Sequence, residues 1–168
     1  ETFRRDQAAQ VRGSMQINFI ADALVDSARL LFSDLASLQL EDRVDAIKRI
    51  RAALHEHSPF AAEPVDFVQW IPIESVFAND YNPNSVAPPE MELLRLSIAS
   101  DGYTQPIVSM AVGDAFEVID GFHRHRVGKE CKDIQERVHG YLPLVQIRAS
   151  QHDKSDRMAS TIRHNRAR

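Results

Sequence analysis

The sequence predicts an α+β fold preceded by a helical hairpin, and three observations carry that prediction. Apolar residues recur at three- and four-residue steps over the first third of the chain. After Val65 they give way to short β-prone runs. The remainder then follows the order helix, strand, strand, helix, strand, with turn residues between the elements.

Between Met15 and Leu38 the residues Ile17, Ile20, Leu24, Ala28, Leu31 and Leu35 form one stripe, which marks an amphipathic helix. A second helix is expected from about Leu40 to His55. Val44, Ile47, Ile50 and Leu54 form its inner face, with Arg43, Lys48, Arg49 and Arg51 outside. Ser58 to Pro64 breaks the pattern and reads as a linker, dividing the chain into a helical extension, 1–64, and a second domain, 65–168. The hairpin must pack on something, either the following domain or another subunit. Val65, Phe67, Gln69 and Ile71, with Trp70 and Ile73, are β-prone and precede a turn-rich run, Asn79 to Asn84.

Pro88-Pro89-Glu90 suits the first turn of a helix, where a missing N–H is not felt. Its inner face is Met91, Leu94 and Ile98, and Asp101-Gly102 ends it because glycine accepts the positive φ of a C-terminal cap. Strands at Ile107–Met110 and Ala115–Ile119 form a hairpin about Gly113-Asp114. A helix from about Arg124 to Cys131, a strand at Leu144–Ile147 and a terminal helix from about Ser155 to Asn165 complete the series.

Composition narrows the function classes. A formal net charge of -4 over 168 residues does not suit a domain that coats nucleic acid by bulk charge, so contact with a polyanion needs a local patch. The single cysteine, Cys131, excludes an internal disulfide and any multi-cysteine metal site; it reads as a small packing residue. No apolar run is long enough to span a membrane, and Glu1 to Asp6 is not followed by a secretory-type segment, so a cytoplasmic setting is expected. The chain begins without Met and stops at Arg166-Ala167-Arg168, which leaves the presence of further domains open.

Chemistry concentrates in Asp120-Gly121-Phe122-His123-Arg124-His125-Arg126-Val127, directly after the apolar run of Phe116, Val118 and Ile119. A permissive glycine, two imidazoles and two fixed cations at the end of a core strand suit the holding of an anion. A zinc site from His123 and His125 is disfavoured, because residues two apart do not share a helix face. A solvated helix face is the alternative for the arginines, and a structural turn is the alternative for Asp120.

The stretch Leu96-Ser97-Ile98-Ala99-Ser100-Asp101-Gly102-Tyr103-Thr104-Gln105-Pro106-Ile107-Val108, followed at hairpin distance by Val118 to Arg126, resembles the N-terminal domain of the partition protein ParB and its relatives. Sulfiredoxin and the archaeal free-serine kinase belong to the same superfamily. Ile73-Glu74-Ser75-Val76 and Asn82-Pro83-Asn84 fit the same pattern, and the resemblance covers about residues 68–168. It implies a ParB/sulfiredoxin-like small mixed sheet with packed helices.

The resemblance also implies a nucleoside triphosphate, ATP or CTP, bound with Mg2+. The Gly-x-x-Arg box falls on Gly121 through Arg124 and would hold phosphates at a helix start, with His123, His125 and Arg126 beside it and Gln105 in the adjacent loop. Arg163, Asn165 and Arg166 on the terminal helix would complete the phosphate environment, Asn165 and Asp120 serving the metal. For turnover the candidates are Asp120 and His123, with Asp80 as a general base.

Departures from the relatives matter. Phe122 stands where sulfiredoxin needs a cysteine, which sets aside sulfinic acid reduction, and the acidic residue of the partition proteins' box is missing. The implied role lies in bacterial or mobile-element DNA maintenance or gene regulation. The rivals are a small-molecule phosphotransferase or ParB-like nuclease, and a non-catalytic co-regulator whose N-terminal helices pair subunits or dock a partner. DNA contact is expected only weakly or through a further domain.

Overall fold

A computed structural model describes residues 19–78 and 88–147. The chain divides into two compact units, residues 1–47 and 48–168.

In the first unit a helix over 19–32 (α1) runs into a 3-10 turn, Ser33–Ser37, and then into α2, Leu40–Glu56, whose later turns belong to the second unit. The Arg43 guanidinium donates to the carbonyls of Ala36 at 2.9 Å and Leu38 at 2.8 Å, fixing the connection. Glu41 and Asp42 in the first turn of α2 complement its positive end. The helices predicted for this region are present, but their apolar faces are not fully covered: Ile20, Leu24 and Leu31 of α1 are 54%, 67% and 70% accessible, and Val44, Ile47 and Ile50 of α2 are only half-buried.

In the second unit a 3-10 turn at Pro64–Asp66 leads into β1, Gln69–Pro72, and a second at Ile73–Ser75 leads into β2, Val76–Ala78. Val65 and Phe67, read as β-prone, therefore lie outside β1. Helix α3, Pro88–Asp101, precedes the hairpin of β3, Ile107–Val112, and β4, Ala115–Asp120. Helices α4, Phe122–Glu130, and α5, Lys132–Arg137, precede β5, Tyr141–Gln146. The sheet order is β1-β5-β3-β4-β2, with β1–β5 and β3–β4 antiparallel and β3–β5 and β2–β4 parallel. This is the expected mixed sheet.

Strand β5 begins earlier than expected despite Pro143. That residue lies opposite Trp70 of β1, whereas the pairing with β3 starts only at Leu144, so no ladder to β3 needs the missing N–H. Helix α5 was not anticipated, and the turn-rich run 79–84 and the terminal helix lie outside the described residues.

The core gathers Ile107, Val118, Leu142 and Leu144, each 0% exposed, with Ile71, Ile73, Val76 and Phe122. Full burial of such side chains contributes about 1.5–3 kcal/mol apiece. A second cluster, Ile98, Val127 and Ile134, joins α3, α4 and α5, and Tyr103 packs against both. Gly102 closes α3 at φ +80, where a Cβ would come within 2.9 Å of Arg137 Nη2. Arg137 donates to the carbonyls of Ile98 and Ala99, so a cation from α5 satisfies the orphan acceptors at the negative end of α3.

Candidate functional site

Strand β4 delivers Asp120 at its last position, 8% exposed, opposite Val108 and beside a register shift between Val108 and Ser109. Such irregularities re-aim the side chains next to them. Gly121 follows in the left-handed region, φ 90 and ψ 28, and caps α4. Its carbonyl accepts the first α4 bond from His125 N at 2.9 Å.

The glycine is needed for space as well as for φ. A Cβ here would stand 3.0 Å from Arg124 Nη2 and 3.1 Å from Nε, because the guanidinium folds back over the helix start. Arg124 Nη1 donates to Gln105 Oε1 at 2.8 Å, and Nη2 lies 3.5 Å from Asp120 Oδ2. The Arg124 and Asp120 side chains are only 12% and 11% exposed, so their attraction is less screened than that of a surface pair. Asp120, Gly121, Arg124 and Gln105 are thus brought together from two segments fifteen residues or more apart, and His123 lies half-buried in the same first turn.

His125 and Arg126, expected beside the phosphates, are not brought to this group. A helix turns about 100° per residue, so Arg126 leaves on nearly the opposite side from Arg124. Arg126 is paired with Glu130 at 3.0 Å, 59% exposed, and lines a recess of about 240 Å³ beside α3 with Met91, Arg95 and Cys131. His125 is 4% exposed with Nε2 3.3 Å from the Val76 carbonyl, pinning α4 to edge strand β2. Burial lowers its pKa, so the neutral ring donates its N–H to that carbonyl.

Two residues that positional reading missed hold the helix start in place. The Tyr103 hydroxyl donates to the Arg124 carbonyl at 3.0 Å, and burial pushes its pKa up to about 12. Gly128 faces it: a Cβ there would overlap the Tyr103 hydroxyl and the Leu142 side chain. The available signal was a glycine inside a helix, which costs about 1 kcal/mol against alanine and so marks a packing reason. Cys131 packs beside Ile98, Val127 and Ile134, and burial raises its thiol pKa. Asp80, Arg163, Asn165 and Arg166 lie outside the described residues. Among the described residues no group of three His, Cys, Asp or Glu could hold a metal, and no helix is long and apolar enough to cross a membrane.

A five-stranded mixed sheet with a glycine-started helix, whose arginine folds back over its own N-terminus, defines a small α+β class of domain. The chain belongs to the ParB N-terminal domain family, whose model matches residues 59–161. Over 135 residues it is 50% identical to the uncharacterised protein YbdM of Escherichia coli (strain K12), covering 80% of this chain and 63% of that protein. The chain thus spans less than two thirds of that relative's length. Among solved structures it is similar to the C-terminally truncated chromosome-partitioning protein ParB of Caulobacter crescentus complexed with CTP-gamma-S, with TM-score 0.47 and 21% identity over 60% of this chain and 53% of that one. Sulfiredoxin of Arabidopsis thaliana matches with TM-score 0.40 and 14% identity over 56% of this chain and 96% of that one.

Proposed function

We propose that the domain binds a nucleoside triphosphate, ATP or CTP, with its phosphates at the N-terminus of α4. The observation that carries this reading is the Arg124 guanidinium folded over Gly121 and steadied by Gln105 and Asp120. The N–H groups of a helix's first turn and its positive end attract phosphate oxygens, and Arg124 supplies a fork of donors at the same place. Holding that fork in advance reduces the ordering cost of binding. His123, in the same turn, supplies an imidazole for hydrogen bonding to phosphate.

Asp120 fits a magnesium ion carried in by the nucleotide, since that ion takes one or two carboxylates and completes its shell with phosphates and water. When bound, magnesium neutralises phosphate charge. A carboxylate engaged there would release Arg124 Nη2 towards the phosphates. Whether the phosphate is then transferred or hydrolysed is decided by product analysis: diphosphate formed over many turnovers and lost in Asp120→Asn supports catalysis, while tight binding without turnover supports a switch. Family membership supports a role in bacterial or mobile-element DNA maintenance or gene regulation, and the exposed apolar face of α1 supports pairing of subunits or docking of a partner.

Calorimetry with magnesium and each triphosphate tests the site. Saturable binding that Arg124→Ala weakens by about 1.5–3 kcal/mol, the scale of a hydrogen bond to a charged group, is the expected result. Unchanged binding in that variant sinks the assignment.

A further inference from the structure

A second cluster of polar side chains lies in the segment 51–70, away from the α4 start. Arg51 and His55 stand one turn apart on α2 and line an open recess of about 440 Å³, within the usual range for small-molecule sites. Asp66 fixes the imidazole: its Oδ2 lies 2.6 Å from His55 Nδ1, and the ring stacks on Phe67 at 5.3 Å and 19°. The bond lowers the Asp66 pKa, so the carboxylate is ionised at neutral pH. With Nδ1 committed, Nε2 is the atom the ring has left to present.

Ser58, Asp66 and His55 are the residue types of a hydrolase triad, but their connectivity is different. Ser58 Oγ gives its hydrogen to Asp66 Oδ1 at 3.0 Å and accepts from Phe60 N at 3.1 Å. The hydroxyl is therefore not aligned on the imidazole, and nucleophilic chemistry is not indicated. Arg51 uses Nη1 on the Val68 carbonyl at 3.2 Å, and a guanidinium carries five N–H donors in all. The rest of the lining is apolar, with Leu54, Val68 and Trp70.

We propose that this recess binds a small organic anion whose flat apolar body lies against Trp70 while its carboxylate or phosphate oxygens meet Arg51 and His55. An arginine held by a backbone carbonyl is a donor fixed in advance, the imidazole oriented by Asp66 donates from Nε2 in its protonated form, and an indole beside them favours a planar ligand. The site is independent of the nucleotide reading.

Trp70 is the only tryptophan in the chain, so its fluorescence reports this recess directly. The intact chain is titrated with benzoate, phenyl phosphate, inorganic phosphate and benzyl alcohol. Saturable change is expected with an aryl anion, at least about tenfold weaker for benzyl alcohol and for inorganic phosphate, which each lack one half of the ligand. A preference between benzoate and phenyl phosphate supports the proposal and identifies the head group. Arg51→Gln is expected to weaken binding about tenfold, and Arg124→Ala to leave it unchanged. Should Arg51→Gln fail to fold by circular dichroism, His55→Gln gives the same reading. No saturable response from the unaltered chain up to about 10 mM, or benzyl alcohol binding as tightly as benzoate, overturns it.

Discussion

Helices built on the same apolar spacing end in opposite states in the two parts of this protein. In α1 Ile20, Leu24 and Leu31 are 54%, 67% and 70% exposed, while in α3 Ile98 is 4% exposed, packed against Val127 of α4 and Ile134 of α5. Periodicity specifies that a helix has an apolar face. It does not say what covers the face, which depends on residues far along the chain.

The largest expected contrast comes from truncating one leucine in each part. Leu142→Ala, at a position with 0% exposure, is expected to cost about 2–5 kcal/mol in urea unfolding. Leu24→Ala, 67% exposed, is expected to stay within about 0.5 kcal/mol. A loss of similar size at Leu24 would break the contrast and show that its face is covered in solution, in which case sedimentation should report more than one chain per particle.

Within α4 the comparison concerns binding. Arg124→Ala should remove about 1.5–3 kcal/mol of nucleotide affinity, whereas Arg126→Ala, already paired with Glu130, should change it by less than about 0.5 kcal/mol in the same calorimetric experiment. Gly128→Ala sharpens the packing side of the argument. Its Cβ meets Tyr103 and Leu142, and overpacking of this kind costs about 1–3 kcal/mol, readable as a lower melting temperature.

The smallest effect is a pH dependence. The bond from His55 holds the Asp66 pKa below its ordinary value of 3.8. That contribution is present above the unfolded-state pKa and is lost as pH falls through the folded one. The stability gap between the unaltered chain and Asp66→Asn should therefore be fully open at neutral pH and narrow once pH drops below about 4, as followed by thermal melts.

Most elements were legible because each rests on a local signal. The spacing of Met91, Leu94 and Ile98 gave α3, the stop at Gly102 gave its end, and the Gly113 turn gave the β3–β4 hairpin. Helix α5 was missed because Lys132 to Arg137 is too short to show a period, and the start of β5 was missed because Pro143 argues against a strand unless its neighbours are known. At the site, Gly121, Arg124, Asp120 and Gln105 were legible through family pattern. The separation of Arg126 from Arg124 was open to simple helix geometry, since residues two apart diverge. Tyr103 against Gly128, and His55 against Asp66, are contacts between segments, which no local pattern encodes.

The strand order has a bearing on how the protein is made. Strand β5 is the last described strand along the chain, yet it lies between β1 and β3, so synthesis completes the sheet from within. Until Tyr141 to Gln146 has left the ribosome, β1 and β3 each present a row of unmatched amide and carbonyl groups, the kind of edge on which nascent chains stick to one another.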